Sequence, residues 1–227
     1  MKQLLDELGQ QLMANRDELK GEQMTAYMQN QSQFIGVQAP MRKAIAKPII
    51  QASGKCSIDE SVKLIHELWK LPYREYQLVG IDILMKVHKK LKSDHIKDLE
   101  SWILTKSWWD TVDFLASRGV GQVFKDKALK SVYIDKWLSD ENIWLNRTCL
   151  IYQLFYREQT DVKTLERCIV QLMHKQEFFI QKAIGWSLRQ YSKTNPKWVQ
   201  EFVINHSLKG LAKREALKWM NSRSKIQ

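Results

Sequence analysis

Apolar residues recur along this chain at spacings of three and four rather than two. In "SIDESVKLIHELWKL", Ile58, Val62, Ile65 and Trp69 stand four, three and four residues apart, which is one face of a helix. Ser57, with Glu60 three residues later, makes a capping box that would start this helix. Nearly every other segment shows helical spacing, and no convincing strand alternation occurs. Pro40, Pro72 and Pro196 stand where helices can begin. Pro48, inside "AIAKPIIQ", is expected to kink or shorten its helix, because its ring lacks an N–H. Nine Gly and four Pro are few breakers for 227 residues. The predicted fold is all-α.

Four segments align: "YREYQLVGI" from Tyr73, "WWDTVDFLA" from Trp108, "WLNRTCLIY" from Trp144 and "FIQKAIGWS" from Phe179, at offsets of 35, 36 and 35. The first column is aromatic throughout, and the third is polar throughout (Glu75, Asp110, Asn146, Gln181). A second helical stretch follows each segment. This is a helix-pair repeat, which stacks into a curved solenoid with a concave face. The period is shorter than the roughly 40–47 of HEAT repeats, and the tetratricopeptide Trp-Leu-Gly-Tyr spacing is absent, so the array is read as HEAT-like. With no linker or low-complexity stretch, residues 1–227 are taken as one domain.

The sixth column reads Leu78, Asp113, Cys149, Ile184. If the repeats are equivalent, Asp113 sits where its siblings pack, and partly burying a carboxylate is costly unless it is paired. That misfit makes Asp113 a functional candidate; the bland alternative is a structural ion pair. The fourth column (Tyr76, Thr111, Arg147, Lys182) brings cations to one face in the later repeats. Of nine Trp, Trp108 and Trp144 share the aromatic column and are assigned to the core. Trp109 and Trp186 fall outside it. Trp109 stands four residues before Asp113, on the same helix face.

Composition sharpens this picture. With 44% hydrophobic and 27% charged residues the chain is globular rather than disordered. The net charge of +11 suggests a polyanionic partner, and residues 182–227 carry ten basic residues against two acids. Cys56, Cys149 and Cys168 are scattered, with no CxxC, and the five His form no ligand pattern, so no metal site is expected. The amino-terminal stretch carries acids and lacks the apolar core of a signal peptide, and no apolar run could span a bilayer. A cytoplasmic protein is expected.

Several segments together resemble the DNA alkylation repair family of HEAT-like bacterial glycosylases, the AlkD type. "FIGVQAPMRK" (34–43) resembles its amino-terminal Phe-x-Gly-Val-x-x-Pro-x-x-Arg motif. "KSWWDTVD" (106–113), "NIWLNRT" (142–148) and "EFFIQKAIGWSLRQYSKTNP" (177–196) resemble its other characteristic segments. The resemblance places the functional positions on Trp109, Asp113, Arg147 and Trp186, with Tyr27 and Gln38 as secondary DNA contacts. One departure is Cys149, where a small residue such as Ala is expected.

The resemblance implies excision of 7-methylguanine and 3-methyladenine from double-stranded DNA, without a cofactor, by a monomer. Alkylation makes such a base cationic and already a good leaving group. Bond cleavage leaves an oxocarbenium-like sugar. Asp113 would stabilise that charge and position or deprotonate the attacking water. Trp109 and Trp186 would flank the sugar with their ring faces. Arg147 would hold a phosphate, and the carboxyl-terminal cations, Lys182 and Arg189 among them, would add sequence-independent affinity. Two competing readings are a DNA-binding solenoid without catalysis and a protein-interaction scaffold. The retained Asp113 argues against the first, and the basic excess against the second.

Overall fold

The computed structural model describes residues 1–223, and among them every regular element is helical. The chain divides into two compact units, residues 1–115 and 116–227. The first holds α1 (Lys2–Ala14), α2 (Glu18–Tyr27), α3 (Ala39–Lys55), α4 (Ile58–Lys70), α5 (Arg74–Val87), α6 (Ile96–Leu104) and α7 (Trp109–Phe114). The second holds α8 (Gly121–Val123), α9 (Lys127–Leu138), α10 (Ile143–Ile151), α11 (Val162–Leu172), α12 (Phe178–Tyr191), α13 (Pro196–Asn205) and α14 (Gly210–Arg223). A π-helical stretch, Leu115–Val120, follows α7 directly.

The helices form successive hairpins. In the first unit α1 packs on α3, α3 on α5 and α5 on α7; in the second α10 packs on α12 and α12 on α14. The second helices of neighbouring hairpins thus lie side by side, as in a helical repeat array. The contact between α12 and α14 is close enough to require glycine. A Cβ on Gly185 would stand 2.4 Å from the Glu215 Cβ and 2.8 Å from the Ala212 carbonyl.

Local signals behave as their chemistry dictates. The capping box at α4 is formed in both directions: Glu60 N–H donates to Ser57 Oγ at 3.2 Å and Ser57 N–H to Glu60 Oε2 at 2.9 Å. Val62, Ile65 and Trp69 of the predicted stripe are buried. Pro40 and Pro196 sit in the first turns of α3 and α13. Pro48 neither ends nor shortens α3, which runs through it to Lys55. One missing N–H removes one helical bond, and burial of Ala46, Ile49 and Ser53 along the same helix outweighs that loss.

The repeat register differs from the one read from aromatic residues. Counted from the helix starts at Arg74, Trp109, Ile143 and Phe178, the later two segments shift by two positions. Hydrogen bonds fix the true register. Gln77 Nε2 donates to the carbonyls of Leu68 and Leu71, Asn146 Nδ2 to Trp137 and Asp140, and Gln181 Nε2 to Met173 and Lys175. These three amides occupy the fourth position of their helices. Each satisfies carbonyls left open where the preceding helix ends. The fifth position then reads Leu78, Asp113, Arg147, Lys182. Asp113 therefore does not replace a packed apolar sibling; two of its equivalents are cations, and the position is a half-polar face of the hairpin.

Candidate functional site

Trp109 opens α7 and Asp113 follows one turn later. Both are half-buried, whereas Thr111 and Val112 between them are fully buried. The helix therefore turns one face into the core and keeps the indole and the carboxylate together at its boundary. Trp108, one residue earlier, is buried as the pattern predicts, and so is Trp144. Five Trp are buried; Trp109, Trp186, Trp198 and Trp219 stay half-buried.

The loop before α7 is pinned at several points. Lys106 sits in the left-handed region, with φ of 52°, an uncommon conformation for a residue with a Cβ. Its carbonyl accepts from Arg74 Nη1 at 2.6 Å, and its Nζ donates to the Leu71 carbonyl. Burial holds the Lys106 amine below the usual lysine range, with the nearby Arg74 charge adding to the effect. Trp69 Nε1 donates to the Thr105 carbonyl at 3.2 Å, and Ser107 Oγ to Ile103 at 2.6 Å. Arg74, with no solvent exposure, pairs with Asp110 in the first turn of α7.

The segment before Gln38 is held as firmly. The buried carboxylate of Glu75 accepts the N–H groups of Ile35, Gly36 and Val37 at 3.0, 2.9 and 3.1 Å. Three N–H groups from one backbone stretch satisfy one buried carboxyl group. Gly36 has φ of 100°, and a Cβ there would fall 2.0 Å from the Asp17 carbonyl. This is the physical reason for glycine in the Phe-x-Gly-Val segment. Gln38 is the exposed N-cap residue of α3, and Tyr27, the last residue of α2, is 75% exposed.

In the second unit, Arg147 is buried in α10 and donates from Nη1 to the Phe179 carbonyl at 2.6 Å, with its guanidinium 5.9 Å from the Phe179 ring centroid. Trp186 is half-buried in the middle of α12. Lys182 and Arg189 on the same helix are both held by Glu215 of α14, at 3.0 and 2.7 Å. Burial raises the Glu215 carboxyl, but Lys182, Arg189 and Lys218 outweigh it and hold the group below the usual range. Cys149 is fully buried and its thiol is pushed well up by burial, so it acts as a small apolar residue.

Among the described residues no cluster of three His, Cys, Asp or Glu could hold a metal, and no helix is long and apolar enough to cross a membrane. Residues 8–220 match the model of a family described as DNA alkylation repair enzyme. The chain belongs to this family. Membership in the DNA alkylation repair enzymes implies DNA binding. Among solved structures, a protein from Enterococcus faecalis described as a predicted DNA alkylation repair enzyme aligns with a TM-score of 0.82 and 33% identity. The alignment covers 90% of this chain and 96% of that one. A comparison with curated proteins gave no match.

Sequence reasoning missed Arg74, Glu75 and Lys106. A signal was available: Arg74 and Asp110 are opposite charges one repeat apart. Side chains one repeat apart can meet wherever neighbouring hairpins pack side by side.

Proposed function

We propose that this DNA alkylation repair enzyme is a glycosylase that hydrolyses the N-glycosidic bond of cationic alkylated purines, 7-methylguanine and 3-methyladenine, in double-stranded DNA. The observation that carries the reading is the pairing of Trp109 and Asp113 on one face of α7, both half-buried at the edge of the buried Thr111 and Val112. The bond from C1′ to N9 breaks and its electron pair neutralises the departing base. Water adds to C1′ and gives up one proton, to Asp113 or to solvent. Asp113 stabilises the positive sugar and orients that water. The Trp109 ring face favours the same charge. A cationic leaving group needs no general acid.

The second unit has candidates of its own: Trp186 as a ring face, and Arg147, Lys182 and Arg189 for phosphates; Tyr27 and Gln38 are the further DNA-contact candidates of the first. The family match covers residues of both units. The deciding experiment incubates purified protein with methylated DNA, without metal or nucleotide. Free 7-methylguanine is the expected product. Tight binding of abasic-analogue DNA with no base released would leave a DNA-binding module. Neutral uracil should stay in the DNA, and its efficient release would show that the protein activates the leaving group.

A further inference from the structure

The structure assigns to Arg74 a role the reaction scheme does not contain: we propose that it is the positioning residue that sets the rotation of α7, and with it the placement of Trp109 and Asp113. The activity arm of this inference rests on the glycosylase reading; its structural arm does not.

Arg74 has no solvent exposure, and its guanidinium is spent on the stretch 106–111. Nε donates to Asp110 Oδ2 at 3.0 Å, Nη2 to Asp110 Oδ1 and to Thr111 Oγ1 at 2.9 Å, and Nη1 to the Lys106 carbonyl at 2.6 Å. Packing alone would hold α5 against α7. A planar fork adds fixed directions: two parallel bonds to one carboxylate, plus one bond to each flanking group. Such a fork resists rotation of the helix about its own axis, which apolar contacts resist weakly.

That resistance is needed here. α7 runs without a break into the π-helical stretch that follows it, but its first turn is where Trp109 stands, and no side chain caps that N-terminus. An uncapped first turn frays unless tertiary contacts hold it. Asp110 adjoins Trp109, and Asp113 is one turn further along the same helix. A small rotation moves both, and positional errors near 1 Å cost about a hundredfold in rate.

The test compares Arg74→Lys with wild type. Lysine keeps the charge and most of the bulk but replaces the fork with a point donor. Three quantities are read: single-turnover release of 7-methylguanine, affinity for abasic-analogue DNA, and the fluorine resonance of 5-fluorotryptophan at position 109, assigned by its loss in Trp109→Phe. The expected result is release slowed about 10- to 100-fold, affinity held within about threefold, and a shifted or broadened Trp109 resonance at a temperature where the variant is fully folded. An unmoved resonance, with release lowered only in proportion to the unfolded fraction, would overturn the proposal. Should Arg74→Lys fail to fold, Asp110→Asn keeps the shape and weakens the same fork, and the same readouts decide. If wild-type protein releases no base, the glycosylase reading fails, while the Trp109 resonance still decides the clamp.

Discussion

The hairpin α6–α7 and the hairpin α9–α10 solve one problem in different ways. Each must close the end of its first helix and start the second within a few residues. In α9–α10 the solution is internal: Asn146 reaches back to the Trp137 and Asp140 carbonyls, and Asn142 caps α10 by accepting from the Trp144 and Leu145 N–H groups. Gln77 and Gln181 repeat the amide device in their own hairpins. In α6–α7 the equivalent residue is Val112, which is fully buried and has no donor to offer. The connection is fixed instead from the preceding hairpin, by Trp69 and Arg74, and by the contact of Lys106 with Leu71. Asp110 and Lys106 are used up in that outside clamp. The hairpin carrying Trp109 and Asp113 therefore departs from the repeat rule where chemistry is proposed, and depends on its neighbour for its setting.

The comparison predicts effects of different size and kind. Largest is Asp113→Asn, which keeps shape and removes charge. Base release should fall by roughly 10²–10⁴, with abasic-analogue binding held or tightened. A melting temperature lowered by many degrees with near-normal release would assign Asp113 to structure, as the amides of the other hairpins are. The second is Asn146→Ala, which strips two helix-end carbonyls and the Lys175 contact at 2.6 Å. Unfolding in denaturant should show a loss of about 1–3 kcal/mol. Little change would mean the amide device is ornamental and the contrast empty.

Smaller effects come from the charged contacts of the second unit. Glu215→Gln frees Lys182 and Arg189 from a shared carboxylate. If these cations serve DNA, fluorescence anisotropy should show affinity rising about two- to tenfold, with stronger salt dependence. The smallest effect is acid stability. Burial raises the Asp161 carboxyl, but Lys130 at 2.5 Å and the Thr164 N–H and hydroxyl outweigh it and hold it at about 2. A lowered carboxyl stabilises the fold fully above the ordinary carboxylate range and loses that contribution as pH falls towards about 2. With a side chain 38% exposed the contribution is only about 1 kcal/mol. Asp161→Asn should flatten melting temperature against pH between about 4 and 2, and an unaltered profile would show that other groups govern acid unfolding.

The sequence alone specifies the helical pattern, the capping box, the repeat period and the segments that mark the family. Each depends on spacings of three or four residues or on contiguous motifs, which act locally. It placed Trp109 and Asp113 on one face for the same reason. Packing sets the register of the third and fourth segments, where aromatic alignment slips by two because apolar helical patterns look alike when shifted along the chain. Only amides reaching back to particular carbonyls remove that ambiguity. Packing also decided that Asp113 shares its position with Leu78, Arg147 and Lys182 rather than with the buried Cys149 and Ile184. Finally, it placed Arg74 under Asp110 and Glu75 under residues 35–37, because buried charges survive only where donors and acceptors from distant segments converge, and that convergence exists only once the hairpins have packed.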